Sequence, residues 1–127
     1  MQEVSVIIPN FNGMAYLDGV LAGLECQSVN NFEVILVDNG SSDGSCAFVA
    51  ARYPWVHLIE LPENFGFCKA VNEGIKASRA PYVLLLNNDI EVTENFIEEM
   101  IFAIKRHPKA FSCAARMIQF HDRDKLD

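Results

Sequence analysis

Apolar runs of strand length alternate with segments of helical period along nearly the whole chain, and this alternation restricts the fold more than any other feature. Val4-Ser5-Val6-Ile7-Ile8 is rich in β-branched residues and stops at Pro9, which predicts a buried strand. Met14, Leu17, Leu21 and Leu24 then share one face of a helix. Phe32 to Val37 predicts a second strand, ended by the turn-forming Asp38-Asn39-Gly40. A second helix starts at Ser42 or Asp43, either of which can cap it, and runs to Tyr53 before Pro54. Val56 to Glu60 reads as a third strand and Phe67 to Ser78 as a third helix. Tyr82 to Leu86 reads as a fourth strand, apolar throughout, as expected of a strand covered on both faces. Thr93 or Asn95 can cap a helix carrying Ile97, Met100, Ile101 and Ile104, which ends before Pro108. Ala110 to Ala115 reads as a fifth strand, and His121 to Asp127 as a polar, fraying tail.

Repeated strand–helix units predict an α/β fold of three layers, α/β/α, built on a mostly parallel sheet. The 127 residues make one domain. Half of them are hydrophobic and only 21% are charged, which excludes a disordered chain. The formal charge of −7, with no run of Lys or Arg, argues against nucleic acid as a partner, because that binding needs basic side chains to displace counterions. The longest apolar runs, Val4 to Pro9 and Val83 to Leu86, are far shorter than the ~20 residues that span a bilayer. The N-terminus lacks the basic start and apolar stretch of a signal peptide, so a cytoplasmic domain is expected. Cys26, Cys46, Cys68 and Cys113 form no Cys-x-x-Cys pair and read as reduced thiols, mostly small core residues. His57, His107 and His121 have no partner at metal or triad spacing and read as structural or surface residues.

In parallel α/β sheets, ligands sit beyond the carboxyl ends of the strands. Those ends carry Pro9-Asn10-Phe11-Asn12-Gly13, Asp38 to Gly44, Glu63 to Phe67 leading to Lys69 and Asn72, and Asn87-Asn88-Asp89. Carboxylates, amides and glycines on one edge suit a polar, phosphorylated ligand with a metal. Asp89 follows an apolar strand and is a candidate ligand for a hard divalent cation, with Asn88 beside it for a sugar hydroxyl or a metal-bound water. Asn87-Asn88-Asp89 can equally be a turn that caps the next helix. Asp38 is either a turn residue or an acceptor for ligand N–H groups such as a pyrimidine imide. Phe11 can lie against a flat base or pack in the core, and Lys69 is either a phosphate counter-charge or a solvated helix residue. No Gly-x-Gly-x-x-Gly, Walker-type loop or Gly-x-Ser-x-Gly elbow is present, which argues against a dinucleotide cofactor, a nucleotide triphosphatase and a hydrolase.

Together these loops resemble the N-terminal half of the family-two glycosyltransferases, with the Rossmann-like GT-A fold. The resemblance rests on Val4 to Asn12, Val34 to Gly44, Asn64 to Gly74 and Leu85 to Val92, and extends to about Phe120. Asn64-Phe65-Gly66-Phe67 and Leu86-Asn87-Asn88-Asp89 look like the rhamnosyltransferase-like branch, which uses dTDP- or UDP-sugars. The resemblance implies that Pro9, Asn10 and Phe11 border the nucleotide, that Asp38 bonds the pyrimidine, and that Asp43 and Lys69 lie near the ribose and diphosphate. It places Asn88 toward the ribose and Asp89 on the metal, Mg or Mn. Two amides in place of carboxylates leave Asp89 as the single charged ligand there. The implied partners are a dTDP- or UDP-sugar and a glycan or lipid-linked acceptor, with a homo-oligomer through an exposed apolar flank as a further option. Residues 1–120 then form the nucleotide-sugar-binding half and 121–127 a tail. The catalytic base is expected beyond Asp127, in an acceptor half, so the isolated chain is expected to transfer little sugar. Attachment to the inner face of the membrane stays open. Glu91, Glu94, Glu98 and Glu99 read as an acidic helix start rather than as bases. The alternatives are a non-catalytic nucleotide-binding or subunit-association module of the same fold and a nucleotidyltransferase; the latter would need a basic loop after the first strand.

Overall fold

A computed structural model describes residues 2–117, and the expected tail, 121–127, lies outside them. Four strands, β1 (Val4–Asn10), β2 (Phe32–Asp38), β3 (His57–Glu60) and β4 (Tyr82–Leu85), alternate with α1 (Met14–Glu25), α2 (Ser45–Arg52), α3 (Phe67–Ala77) and α4 (Phe96–Arg106). All strand pairs are parallel, in the order β3-β2-β1-β4. The register aligns the carboxyl ends: Asn10 lies beside Asp38, and Asp38 beside Glu60. The fold is the three-layer α/β/α arrangement expected.

The two faces of the sheet are dressed unequally. Val4, Val6 and Ile8 with Val34 and Leu36 pack against Leu17, Val20, Leu21 and Leu24 of α1, Val49 of α2, and Ile97 and Ile101 of α4. Each fully buried leucine there contributes about 1.5–3 kcal/mol relative to exposure. On the opposite face, Ile7, Ile35 and Val37 meet Ala70 of α3. Strand periodicity explains the division, because successive side chains point to opposite faces. The α3 packing is tight enough that a Cβ at Gly74 would lie 2.5 Å from Ile7 Cγ2.

Several expectations need correction. Tyr82 and Leu84 pack against the larger core, but Val83 and Leu85 are each 45% exposed. Among the described residues β4 is therefore covered on one face, because α3 crosses β1 and β2 rather than the sheet edge. Helix α2 begins at Ser45, after Gly44 in a left-handed conformation, so neither Ser42 nor Asp43 is its first turn. Segment 110–115 forms no strand; it is exposed and pairs with nothing among the described residues. Met14 is exposed, off the buried stripe of its helix. Cys26, Cys68 and Cys113 are exposed and Cys46 is half-buried, so the thiols are not core residues.

Candidate functional site

A cleft of about 400 Å³ opens at the carboxyl edge of the sheet. Pro9, Asn10 and Phe11 enter its wall from the end of β1, and Asn39 from the end of β2. Asn64, Gly66 and Phe67 come from the loop that starts α3, and Asn87, Asn88 and Asp89 from the turn after β4. Phe11 is 49% exposed, so of its two readings the core one is excluded. Asp89 is exposed on the wall, and the turn it occupies does not cap α4, which starts at Phe96 behind Asn95.

The walls are held by polar side chains rather than by regular structure. Asn10 Nδ2 donates to Asp38 Oδ1 at 2.8 Å, and Asn88 Nδ2 donates to Asn10 Oδ1 at 2.7 Å. Asp38 also accepts from Ser41 N at 2.8 Å and from Ser41 Oγ at 2.7 Å. Burial alone would raise the Asp38 pKa; bonds from Ser41, Asn10 and Cys46 outweigh it and hold the carboxyl below its ordinary value. Asn39, only 4% exposed, clamps the neighbouring loop: its Nδ2 donates to Gly66 O and its Oδ1 accepts from Phe65 N. Gly40, at φ 77°, lets the two loops approach, since a Cβ there would fall 2.7 Å from Glu63 Cα. Asn12 N donates to Ser41 Oγ, and Ser42 N donates to Asn12 Oδ1, latching the first loop to the second.

Three expected site residues stand apart from the cleft wall. Asp38 is 2% exposed behind it. Asp43 serves two helix starts, accepting from Met14 N at 3.0 Å and from Ser45 N at 3.0 Å, which satisfies donors that a helix leaves unpaired. The Ser45 hydroxyl first, then Met14 N, hold the Asp43 carboxyl below its usual pKa. Lys69 pairs with Glu73 Oε1 at 3.0 Å on the exposed side of α3. Asn39, Asn64, Gly66, Phe67 and Asn87 also line the cleft; the sequence placed them in the strand-end loops without giving any of them a role of its own. Their position in strand-end loops was the available signal, but asparagine after a strand looks like any turn residue.

The family model described as Glycosyl transferase family 2 matches residues 5–126. The chain belongs to this family. Glycosyltransferase GlyG of Streptococcus pneumoniae is 31% identical over 100 residues, 76% of this chain and 33% of that protein. Among solved structures, S. aureus TarS 1-349 in complex with UDP aligns with a TM-score of 0.76 at 22% identity, covering 93% of this chain and 40% of the 1-349 chain. The mannosyltransferase PcManGT from Pyrobaculum calidifontis, solved with GDP-Man and Mn2+, aligns at 0.73 and 21% identity over 92% of this chain and 35% of its own. These likenesses establish the fold. The chain spans half or less of the length of the curated relatives it matches.

Among the described residues lining the cleft of this family-two glycosyltransferase domain, Asp89 is the single carboxylate. Among the described residues no three His, Cys, Asp or Glu side chains gather. A cation at Asp89 would therefore complete its shell with ligand phosphates and water, as Mg2+ commonly does with one or two carboxylates. Among the same residues, no helix is long and apolar enough to cross a membrane.

Proposed function

We propose that the chain is the nucleotide-sugar-binding portion of an inverting glycosyltransferase. It would move a sugar, rhamnose among the candidates, from a dTDP- or UDP-sugar to a glycan or lipid-linked acceptor. The observation that carries this reading is the open cleft at the strand ends with the exposed Asp89 on its wall. Support comes from TarS, whose structure holds UDP, and from PcManGT, whose structure holds GDP-Man and Mn2+.

Breaking the sugar–phosphate bond leaves negative charge on the departing diphosphate, and Mg or Mn bound there neutralises it. Asp89 holds that cation in this reading, and Asn88 faces the ribose. Phe11 and Phe67 offer apolar walls for the base. In this reading Asp38 and Asp43 brace the loops around the ligand rather than contact it, and Lys69 stays paired with Glu73 on α3. The acceptor hydroxyl must lose a proton to a carboxylate. Glu98 and Glu99 sit in the first turn of α4, where they complement the helix dipole, so neither is given that role. The chain alone then binds donor and transfers little. Titration with UDP, dTDP, ADP and GDP in the presence of Mn2+ tests the reading. Tighter binding of the two pyrimidine diphosphates supports it; indifference to the base, or no binding, refutes it.

One observation favours a second reading, an association module. Val83 and Leu85 form an apolar flank on the edge strand. Elution that moves to larger size with concentration, and reverts in Val83→Thr/Leu85→Thr, would support it; a concentration-independent monomer would remove it.

A further inference from the structure

We propose that Asn10 is a positioning residue: its amide locks the turn bearing Asp89 to the end of β2, so that metal-assisted grip on a diphosphate depends on it. This rests on the function proposed above. Asn10 is 2% exposed, and both ends of its amide are engaged inside the protein. Nδ2 donates to Asp38 Oδ1 at 2.8 Å and to Ser41 Oγ at 3.4 Å, while Oδ1 accepts from Asn88 Nδ2 at 2.7 Å.

The direction of these bonds is imposed. An ionised carboxylate only accepts, so Asp38 must face the NH2 group of Asn10. The Asn10 oxygen is thereby turned toward β4, and Asn88 must answer with its own NH2 group. A charge at the end of β2 thus sets the orientation of an amide in the turn after β4. Asn88 keeps its Oδ1 and the second hydrogen of its Nδ2 outside this chain of bonds, and the residue that follows it is Asp89.

Two independent observations assign the bond a holding role. β4 leaves the sheet after Leu85, and Leu86 N to Ile7 O, at 3.0 Å, is its last described backbone bond to β1. Beyond that point the Asn88–Asn10 bond ties the turn to the sheet. Gly13 also leaves room for the pair: a Cβ there would lie 2.1 Å from Asn88 Nδ2 and 2.4 Å from Asn10 Oδ1. Without the bond, Asn88 and Asp89 would be held only through the packing of Leu86 and Ile90 on either side, and a cation site with a single protein carboxylate would lose its fixed geometry.

UDP is titrated calorimetrically into the wild-type chain and Asn10→Ala, with and without Mn2+. The quantity read is the factor by which Mn2+ strengthens UDP binding. In Asn10→Ala that factor is expected to fall about tenfold, whatever the change in metal-free affinity. An unchanged factor in a folded variant overturns the positioning role and leaves the proposed function standing. No strengthening by Mn2+ in the wild type overturns the proposed function and this role with it. A variant-free measurement covers the case in which Asn10→Ala fails to fold. Side-chain NH2 exchange in the unliganded wild type, followed by NMR, should be slower at Asn10 and Asn88 than at the exposed Asn87. Equal exchange at Asn88 and Asn87 overturns the lock regardless of ligand.

Discussion

Asp38 is buried and ionised together, which is costly unless its oxygens are bonded, and Ser41 and Asn10 provide those bonds. Its folded pKa lies below the ordinary 3.8, so its contribution to stability is complete above that value and is lost as pH falls through the folded one. Asp38→Asn should therefore cost about 1–3 kcal/mol at pH 7, with the difference from wild type shrinking below about pH 4. Urea denaturation at both pH values measures this; a difference that is constant with pH would contradict it. Cys46 faces the same carboxylate. Burial first, then Asp38 and Glu60, push its thiol up to about 12. At pH 8 iodoacetamide should alkylate the exposed Cys26, Cys68 and Cys113 before Cys46, because the thiolate is the reactive form. Mass spectrometry of the labelled peptides reads the order, and early labelling of Cys46 would refute the placement.

The elements are set by periodic apolar residues and joined by contacts that only glycine permits. At Gly74 two effects compete. Alanine would gain about 1 kcal/mol of helix propensity but would press on Ile7 Cγ2, and overpacking a core costs about 1–3 kcal/mol. Because Ile7 Cγ2 branches at the β-carbon and cannot swing away, overpacking should win and Gly74→Ala should lower Tm. Gly40→Ala should lower it too, by about 1–2 kcal/mol of left-handed strain plus the clash with the Glu63 backbone. Either variant melting above wild type would contradict this packing. All four strands and all four helices were legible in the sequence because their apolar spacing is strong. The start of α2 was not, since Asp43 bonds Ser45 N from outside the helix while Gly44 adopts the left-handed turn between them. Segment 110–115 misled because an apolar composition does not supply a pairing partner. At the site, Phe11, Asn88 and Asp89 were legible from their place after strands. The amide chain from Asp38 to Asn88 was not, because it depends on the register that sets Asn10 beside Asp38.

Across the whole molecule, a net charge of −7 opposes an anionic ligand, and Lys69 already pairs with Glu73. A diphosphate in the cleft therefore needs positive charge from elsewhere, and Asp89 is the carboxylate on the wall able to recruit it. The most direct measurement is UDP affinity of wild type and Asp89→Ala, each with and without Mn2+. The account predicts that Mn2+ strengthens wild-type binding by about tenfold or more and leaves Asp89→Ala within about twofold of its metal-free value. Equal strengthening in both proteins would contradict it.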